Sequence, residues 1–123
     1  MDEPINIAAD GCWGQVVWAK AANGRMPARD FFMDLSLEWR AKVHSNMQRL
    51  ADYGTIPNPE RFENLGGGLY QFKNFQYRFI GQFQRRRFIV GHGLKKKSNK
   101  LRQEEIERAV RILREHREGE ASR

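Results

Sequence analysis

The alternation of hydrophobic and polar residues along the chain predicts four β-strands. Gln15–Lys20 is a short β-rich run, and the turn residues Asn23 and Gly24 follow it. A glycine triplet at residues 66–68 then precedes three more β-rich runs, which are Leu69–Lys73, Gln76–Phe83 and Arg87–His92. Because the connections between these three runs are short, the simplest arrangement is an antiparallel meander.

Three other segments carry apolar residues at helical spacing. Ala28–Leu35 follows Pro27, which suits a first helical turn, and a second helix is predicted between Ser36 as N-cap and Gly54 as stop. Leu101–Arg117 is predicted to form an amphipathic C-terminal helix. The predicted order is β-α-α-β-β-β-α. The predicted fold class is α+β, with a helix hairpin on one face of a small, twisted, mostly antiparallel sheet.

The chain length predicts one domain. We expect a flexible N-terminal segment at residues 1–14, the domain at 15–117, and a flexible tail at 118–123. The prolines at 57 and 59 predict that Thr55–Glu63 is irregular. Cys12 is the single cysteine and the histidines lack ligand spacing, so neither a disulfide, a metal nor a cofactor is expected. Without an apolar run of about 20 residues, a cytoplasmic protein away from membranes is predicted.

Charge is distributed unevenly along the chain. Residues 64–103 contain no Asp or Glu, and their basic residues are Lys73, Arg78, Arg85, Arg86, Arg87, Lys95, Lys96, Lys97, Lys100 and Arg102. Aromatic residues alternate with these cations, which is typical of a folded surface and not of a disordered basic tail. A concentrated positive field of this kind favours a polyanion such as RNA as the partner.

Three short motifs give these strands a specific resemblance. They read Gly-Leu-Tyr-Gln-Phe-Lys at residues 68–73, Gln-Tyr-Arg-Phe at 76–79, and Ile-Val-Gly-His-Gly-Leu-Lys-Lys-Lys at 89–97. In this order and spacing they resemble the RelE/ParE toxin superfamily, and within it the phage-derived HigB-like branch. The resemblance extends over about residues 15–117.

The resemblance implies the RelE-like microbial RNase fold, with two helices on one sheet face and a basic concave surface on the other. It also implies a type II toxin–antitoxin system. RelE-like toxins are mRNA interferases, that is, endoribonucleases that cut mRNA, usually on the ribosome. Their antitoxin partner in the HigB-like branch is typically a helix-turn-helix protein of the HigA type.

The chemistry expected for such an enzyme is metal-independent attack of a ribose 2′-OH on the adjacent phosphate. The reaction needs a proton acceptor, cations around the phosphate and a proton donor for the leaving oxygen. Arg78 matches the arginine of the Tyr-Arg strand, where we expect it to be exposed and to bind the phosphate. The resemblance places Lys73 at the position of a functional lysine of RelE-like members. A lysine crowded by other cations can serve as a base. His92 titrates near neutral pH, and Lys96 follows the last strand as basic residues do in the family.

A second set of residues is predicted to bind RNA without taking part in the chemistry. Its members are Lys95, Lys97, Tyr77, Arg85, Arg86, Arg87 and Lys100. Arg85–Arg87 is expected at a hairpin tip, and Tyr77 and Phe75 are the better candidates for stacking on bases. Each of these residues also has a structural interpretation, because charge runs are often only solvated and aromatic residues often belong to the core.

The chain differs from the best-known RelE-like members at two points. Gln71 stands where they have a second lysine, and no tyrosine follows the last strand. Either His92 and Lys95–Lys97 substitute for these groups, or activity is weak or absent. Two alternative functions follow, which are a ParE-like toxin without nuclease chemistry and a basic prophage protein that binds nucleic acid or regulates.

Overall fold

A single mixed sheet organises the computed structural model, which describes residues 6–97 and 101–122. The described elements, in chain order, are β1 (Ile7–Asp10), β2 (Gln15–Trp18), α1 (Pro27–Met33), α2 (Leu37–Tyr53), β3 (Phe62–Gly66), β4 (Leu69–Asn74), β5 (Tyr77–Gln84), β6 (Arg87–Lys95) and α3 (Gln103–Ala121). The six strands lie in the order β1-β2-β6-β5-β4-β3. The fold is therefore α+β, as predicted, but with two more strands than the sequence pattern indicated.

The parallel pairing of β2 with β6 makes the sheet mixed. Gln15 lies opposite Arg87 and Trp18 lies opposite Val90, whereas the other four neighbouring pairs run antiparallel. The meander predicted for the last three strands is confirmed as β4-β5-β6. A parallel pair needs a long crossover connection, which the helices and the intervening strands supply here.

The two additional strands lie in parts of the chain for which the sequence pattern predicts no strand. Ile7–Asp10, expected to be part of a flexible segment, pairs with β2, and Phe62–Gly66 pairs with β4. The glycine triplet is the reason for the second difference. Gly66, Gly67 and Gly68 all have positive φ (88°, 62° and 85°), so they close a β3–β4 hairpin and do not merely separate two segments.

Helices α1 and α2 pack on one face of the sheet, which we call the hairpin face. Ser36 caps α2 by accepting a hydrogen bond from the Trp39 backbone N–H at 3.3 Å, and Gly54 ends it with φ of 75°. Both predicted helix boundaries are thus confirmed. The buried side chains of the sheet on this face include Val16, Trp18, Phe72, Phe79 and Phe88.

Helix α3 packs on the opposite face, which we call the α3 face. It begins two residues later than predicted and extends to Ala121, so most of the expected C-terminal tail is helical. Gly91 permits the close approach of α3 to β6, because a Cβ added at this position would lie only 2.8 Å from Leu113 Cγ. The resemblance implied an open basic surface over this whole face. That expectation is wrong over β6, where Ile89 of the strand and Leu113 of α3 belong to a buried core. Most contacts of α3 with the sheet are with β6 and β5.

Candidate functional site

Strand register brings three of the predicted catalytic residues to the α3 face. Lys73 on β4 lies opposite Arg78 on β5, and Ile80, two residues further along β5, lies opposite His92 on β6. Because alternate side chains of a strand share one face, Arg78 projects to the same side as Ile80, which packs against α3. The motifs recognised in the sequence therefore converge at one place in the fold.

A carboxylate that the sequence analysis did not single out lies in this group. Glu63 on β3 is opposite Gln71 on β4, and its Oε1 accepts a hydrogen bond from Gln71 Nε2 at 2.7 Å. The same oxygen is 3.6 Å from Lys73 Nζ. Glu63 immediately precedes the stretch without acidic residues. The glycine triplet is the signal in the sequence: a hairpin turn at these glycines would have placed Glu63 opposite Gln71.

Gln71, which stands where RelE-like proteins carry a lysine, holds this carboxylate in position. Its side chain is only 4 % exposed, and the amide NH₂ is directed at Glu63. The amide oxygen Oε1 is buried and has no hydrogen-bond partner among residues 6–97 and 101–122. An unpaired buried acceptor is costly, so Gln71 keeps its position at some expense in stability.

Arg78 is buried, in contrast to the exposed side chain expected from its strand position. It is 8 % exposed, and Nη1 donates to the backbone carbonyls of Phe75 at 2.7 Å and Tyr77 at 3.0 Å. Burial lowers the pKa of Arg78, and the negative charge of Glu63 opposes that shift. The guanidinium nevertheless stays charged at neutral pH. The hydrogen bonds to the β4–β5 turn explain the burial, because they draw the side chain back over its own hairpin.

His92 pairs with a second acidic residue, Glu105, in the first turn of α3. His92 is 6 % exposed, and its Nε2 lies 3.2 Å from Glu105 Oε1. Burial has the largest effect on the pKa of His92 and lowers it. The hydrogen bond to Glu105 and the charge of Glu105 raise this pKa, whereas the charges of Arg108 and Arg111 lower it. The net lowering favours a neutral imidazole near pH 7. A neutral ring that donates Nε2–H to Glu105 leaves Nδ1 as an acceptor.

The basic residues after β6 lie next to the β4–β5 turn. The Lys96 backbone N–H donates to the Gln76 carbonyl at 2.6 Å, while the side chains of Lys95 and Lys97 are exposed. Together with Leu94 and the start of α3, these lysines line a cavity of about 190 Å³. Lys100, also predicted to bind RNA, lies outside the described residues.

Arg85, Arg86 and Arg87 form the predicted hairpin tip, but at the other end of the sheet. They join β5 to β6, so the length of β5 separates them from Arg78 by roughly 20 Å. Arg85 and Arg86 are exposed, whereas Arg87 Nη2 forms an ion pair with Glu120 at 3.2 Å. The structure therefore divides the predicted RNA-binding residues into two separate groups.

Tyr77 is packed among other aromatic rings on the hairpin face. Its ring lies edge-on to Trp39 at 5.4 Å and to Phe31 at 6.2 Å. The alternative interpretation given for the aromatic residues, that of packing, thus describes Tyr77 well. The role of Tyr77 in RNA binding stays a prediction.

None of the helices in the described parts of the chain is long and apolar enough to cross a membrane.

One comparison with known proteins identifies a family. A family model described as "Phage derived protein Gp49-like" matches residues 30–114, which include the end of α1, all of α2 and β3–β6, and the first part of α3. The match agrees with the phage-derived character that the motifs implied, and it does not specify a HigB-like branch. A search of curated proteins finds no match.

Proposed function

This chain belongs to the phage-derived Gp49-like family, and from that premise we propose that it is the toxin of a type II toxin–antitoxin system. We propose that it acts as an endoribonuclease on mRNA. The observation that supports this most strongly is the grouping of Glu63, Lys73 and Arg78 on one sheet face, with Glu63 within 3.6 Å of Lys73. A carboxylate beside two cations has the groups that internal cleavage of RNA requires.

In the proposed reaction Glu63 accepts the proton of the ribose 2′-OH. The 2′-oxygen then forms a bond to the adjacent phosphorus, and the bond between phosphorus and the 5′-oxygen breaks. Lys73 lies beside a carboxylate and not only among cations, so it suits charge stabilisation better than the role of base that its sequence context suggested. The 5′-oxygen takes its proton from Lys73 or Lys96. The products are a cyclic phosphate and a free 5′-OH.

Arg78 stabilises the negative charge that develops on the phosphate. A guanidinium has five N–H donors, and only Nη1 is held by the two turn carbonyls. Those hydrogen bonds fix the plane of the group before substrate binds. Prior orientation is what makes such a donor effective in a transition state.

His92 acts as a positioning residue in this proposal. Its pair with Glu105 joins β6 to the first turn of α3, and this turn borders the cavity lined by Lys95–Lys97. The neutral imidazole favoured by burial is a poor proton donor. We therefore give the acid role to a lysine.

Resting activity is controlled by an antitoxin in this proposal. We expect a helix-turn-helix protein encoded next to this chain, with an acidic segment that covers Arg78 and the lysines after β6. The ribosome is the proposed setting of cleavage. Because the proposed chemistry uses only side chains, cleavage is expected to persist in EDTA under conditions that keep ribosomes intact.

The test of the proposal is Glu63→Gln, which keeps the size and the contact with Gln71 but removes the proton acceptor. Cleavage of a reporter mRNA is expected to fall by about 100-fold or more, and growth arrest on induction is expected to disappear. Glu60→Gln, at an exposed position in the preceding loop, is the control and should leave cleavage unchanged. Full cleavage by a folded Glu63→Gln protein contradicts the assignment of Glu63, and absence of RNA cleavage by the natural protein on translating ribosomes contradicts the nuclease function.

A further inference from the structure

Phe75 occupies an unusual position at the tip of the β4–β5 hairpin. It is the first residue of the two-residue connection between Asn74 and Tyr77, and its φ is 55°. Glycine and asparagine are the usual residues in this left-handed region, and a bulky side chain there is strained. The ring is also 65 % exposed, so burial of apolar surface gives little compensation for the strain.

The exposed ring lies on an aromatic support. The indole of Trp39 stacks against Phe75 with ring centroids 5.4 Å apart and planes 20° apart. Tyr77 meets Trp39 and Phe75 edge-on, at 5.4 Å and 6.4 Å. We call these three residues the Phe75 platform. Since Trp39 covers one face of the Phe75 ring, the exposed fraction leaves the other face open to a planar ligand.

The turn that carries Phe75 also holds Arg78 and the backbone at the start of the lysine run after β6. The Phe75 carbonyl accepts the 2.7 Å hydrogen bond from Arg78 Nη1, and the adjacent Gln76 carbonyl accepts from the Lys96 backbone N–H. On the other side, Lys42 Nζ lies 4.6 Å from the centre of the Trp39 ring. The turn therefore joins an exposed aromatic ring on the hairpin face to Arg78, whose side chain projects to the α3 face. A nucleotide has matching parts, because one ribose joins a flat base to a phosphate.

We propose that the Phe75 platform stacks an unpaired base of single-stranded RNA next to the phosphate bound by Arg78. The inference rests on the proposed function and adds a base-binding subsite to it. Stacking on an aromatic ring tolerates every base, so this subsite contributes affinity and register and not sequence preference. It also explains why the strained turn carries a large ring and not glycine.

The experiment uses a short single-stranded RNA that cannot be cleaved because its riboses are 2′-O-methylated. A fluorescent 2-aminopurine replaces one base at a time along the RNA. The natural protein is expected to quench the fluorescence at one position, because stacking quenches this base. Phe75→Leu is expected to abolish the quenching and to weaken binding about tenfold, whereas Phe75→Trp keeps both.

Two further variants make the result specific. Phe75→Asn fits the positive φ without a ring, so it keeps the hairpin folded and should lose quenching as Phe75→Leu does. Tyr53→Leu removes a ring that is 72 % exposed at the end of α2 and should change nothing. Thermal melts of all variants verify that each is folded.

The outcomes separate this inference from the proposed function. RNA binding with the same affinity and quenching in Phe75→Leu as in the natural protein overturns the Phe75 platform and leaves the nuclease proposal standing. A second RNA carries an abasic site at the quenched position. The natural protein should bind this RNA as weakly as Phe75→Leu binds the intact RNA. If the abasic RNA binds the natural protein without loss of affinity, the platform is overturned too. If the natural protein binds no RNA even at low salt, both proposals fall.

Discussion

Arg78 has both a structural and a functional role within one side chain. Its Nη1 supplies the hydrogen bonds of two carbonyls in the β4–β5 turn, and in our proposal Nη2 binds the phosphate, since Nε is buried. A surface arginine with no such partners contributes little to stability, which is what the sequence alone suggested for this residue. The buried position changes that expectation.

Arg78→Ala is therefore expected to affect both cleavage and stability. The cleavage rate should fall by about 100-fold or more because a preoriented donor is lost. The free energy of unfolding should also fall, by about 1–3 kcal/mol, because two part-buried turn carbonyls lose their donor. Mapped cleavage and denaturant unfolding measure the two effects, with the exposed Arg49→Ala as the control. An unchanged unfolding curve argues against the hydrogen bonds to the turn, and unchanged cleavage argues against the catalytic role.

The residues of the site could be predicted from the sequence only in part. Motif spacing predicted that Lys73, Arg78 and His92 act together, and the structure brings them to one face because two short hairpins fix which strand residues lie opposite each other. Glu63 was missed because the pairing of its strand is not evident from the sequence. Its strand lies before three glycines that resemble a linker, and only strand pairing reveals that they form a turn. Glu105 was missed because nothing local indicates that α3 returns to His92.

At the level of elements, the ends of α2 and the meander of the last three strands were predictable, whereas the partners of the first three strands were not. The cap of α2 depends on Ser36 and Gly54 alone, so local sequence determines it. The four residues of β1 include two alanines, whose preference for strands is weak, and this strand is defined by its pairing with β2. Long-range pairing of this kind also makes the sheet mixed. The spacing of hydrophobic residues along the chain does not indicate which distant strands pair.

The contact between β6 and α3 is expected to be sensitive to pH through His92. The pKa of folded His92 is lowered from the ordinary value of 6.5, so the unfolded chain takes up the additional proton first as the pH falls. The stability linked to His92 is fully present above about pH 6.5 and is lost as the pH falls from there toward the folded pKa.

Denaturant unfolding at pH 7.5 and pH 5.5 measures this linkage. His92→Gln cannot titrate and is expected to lose less stability between the two pH values than the natural protein does. His44→Gln, on the exposed side of α2, is expected to behave like the natural protein. Equal losses in the natural protein and in His92→Gln would falsify the linkage.

At the scale of the whole molecule, positive charge lies at two ends of the sheet. Lys95 and Lys97 lie near Arg78, whereas Arg85 and Arg86 lie at the far tip of the β5–β6 hairpin. A short RNA bound at the candidate site cannot contact both groups at once. In our proposal the far tip contacts a longer RNA or the ribosome.

Salt dependence of binding distinguishes the two groups. For a short oligoribonucleotide, Lys95→Ala is expected to weaken binding and to reduce the slope of log affinity against log salt by about 0.7. Arg85→Ala is expected to leave both unchanged for the short RNA and to weaken binding of long RNA or ribosomes. Equal effects of the two variants on the short oligonucleotide contradict the division of charge into two groups.

The parallel pairing of β2 with β6 has a consequence for the order in which the molecule is assembled. Residue 15 lies opposite residue 87, so the middle of the sheet cannot close until the last strand has been synthesised. Lys73 and Arg78 can meet in a local hairpin earlier, but His92 and its partner on α3 come later still in the chain. A chain still being translated therefore lacks the completed candidate site until nearly the whole domain has emerged from the ribosome.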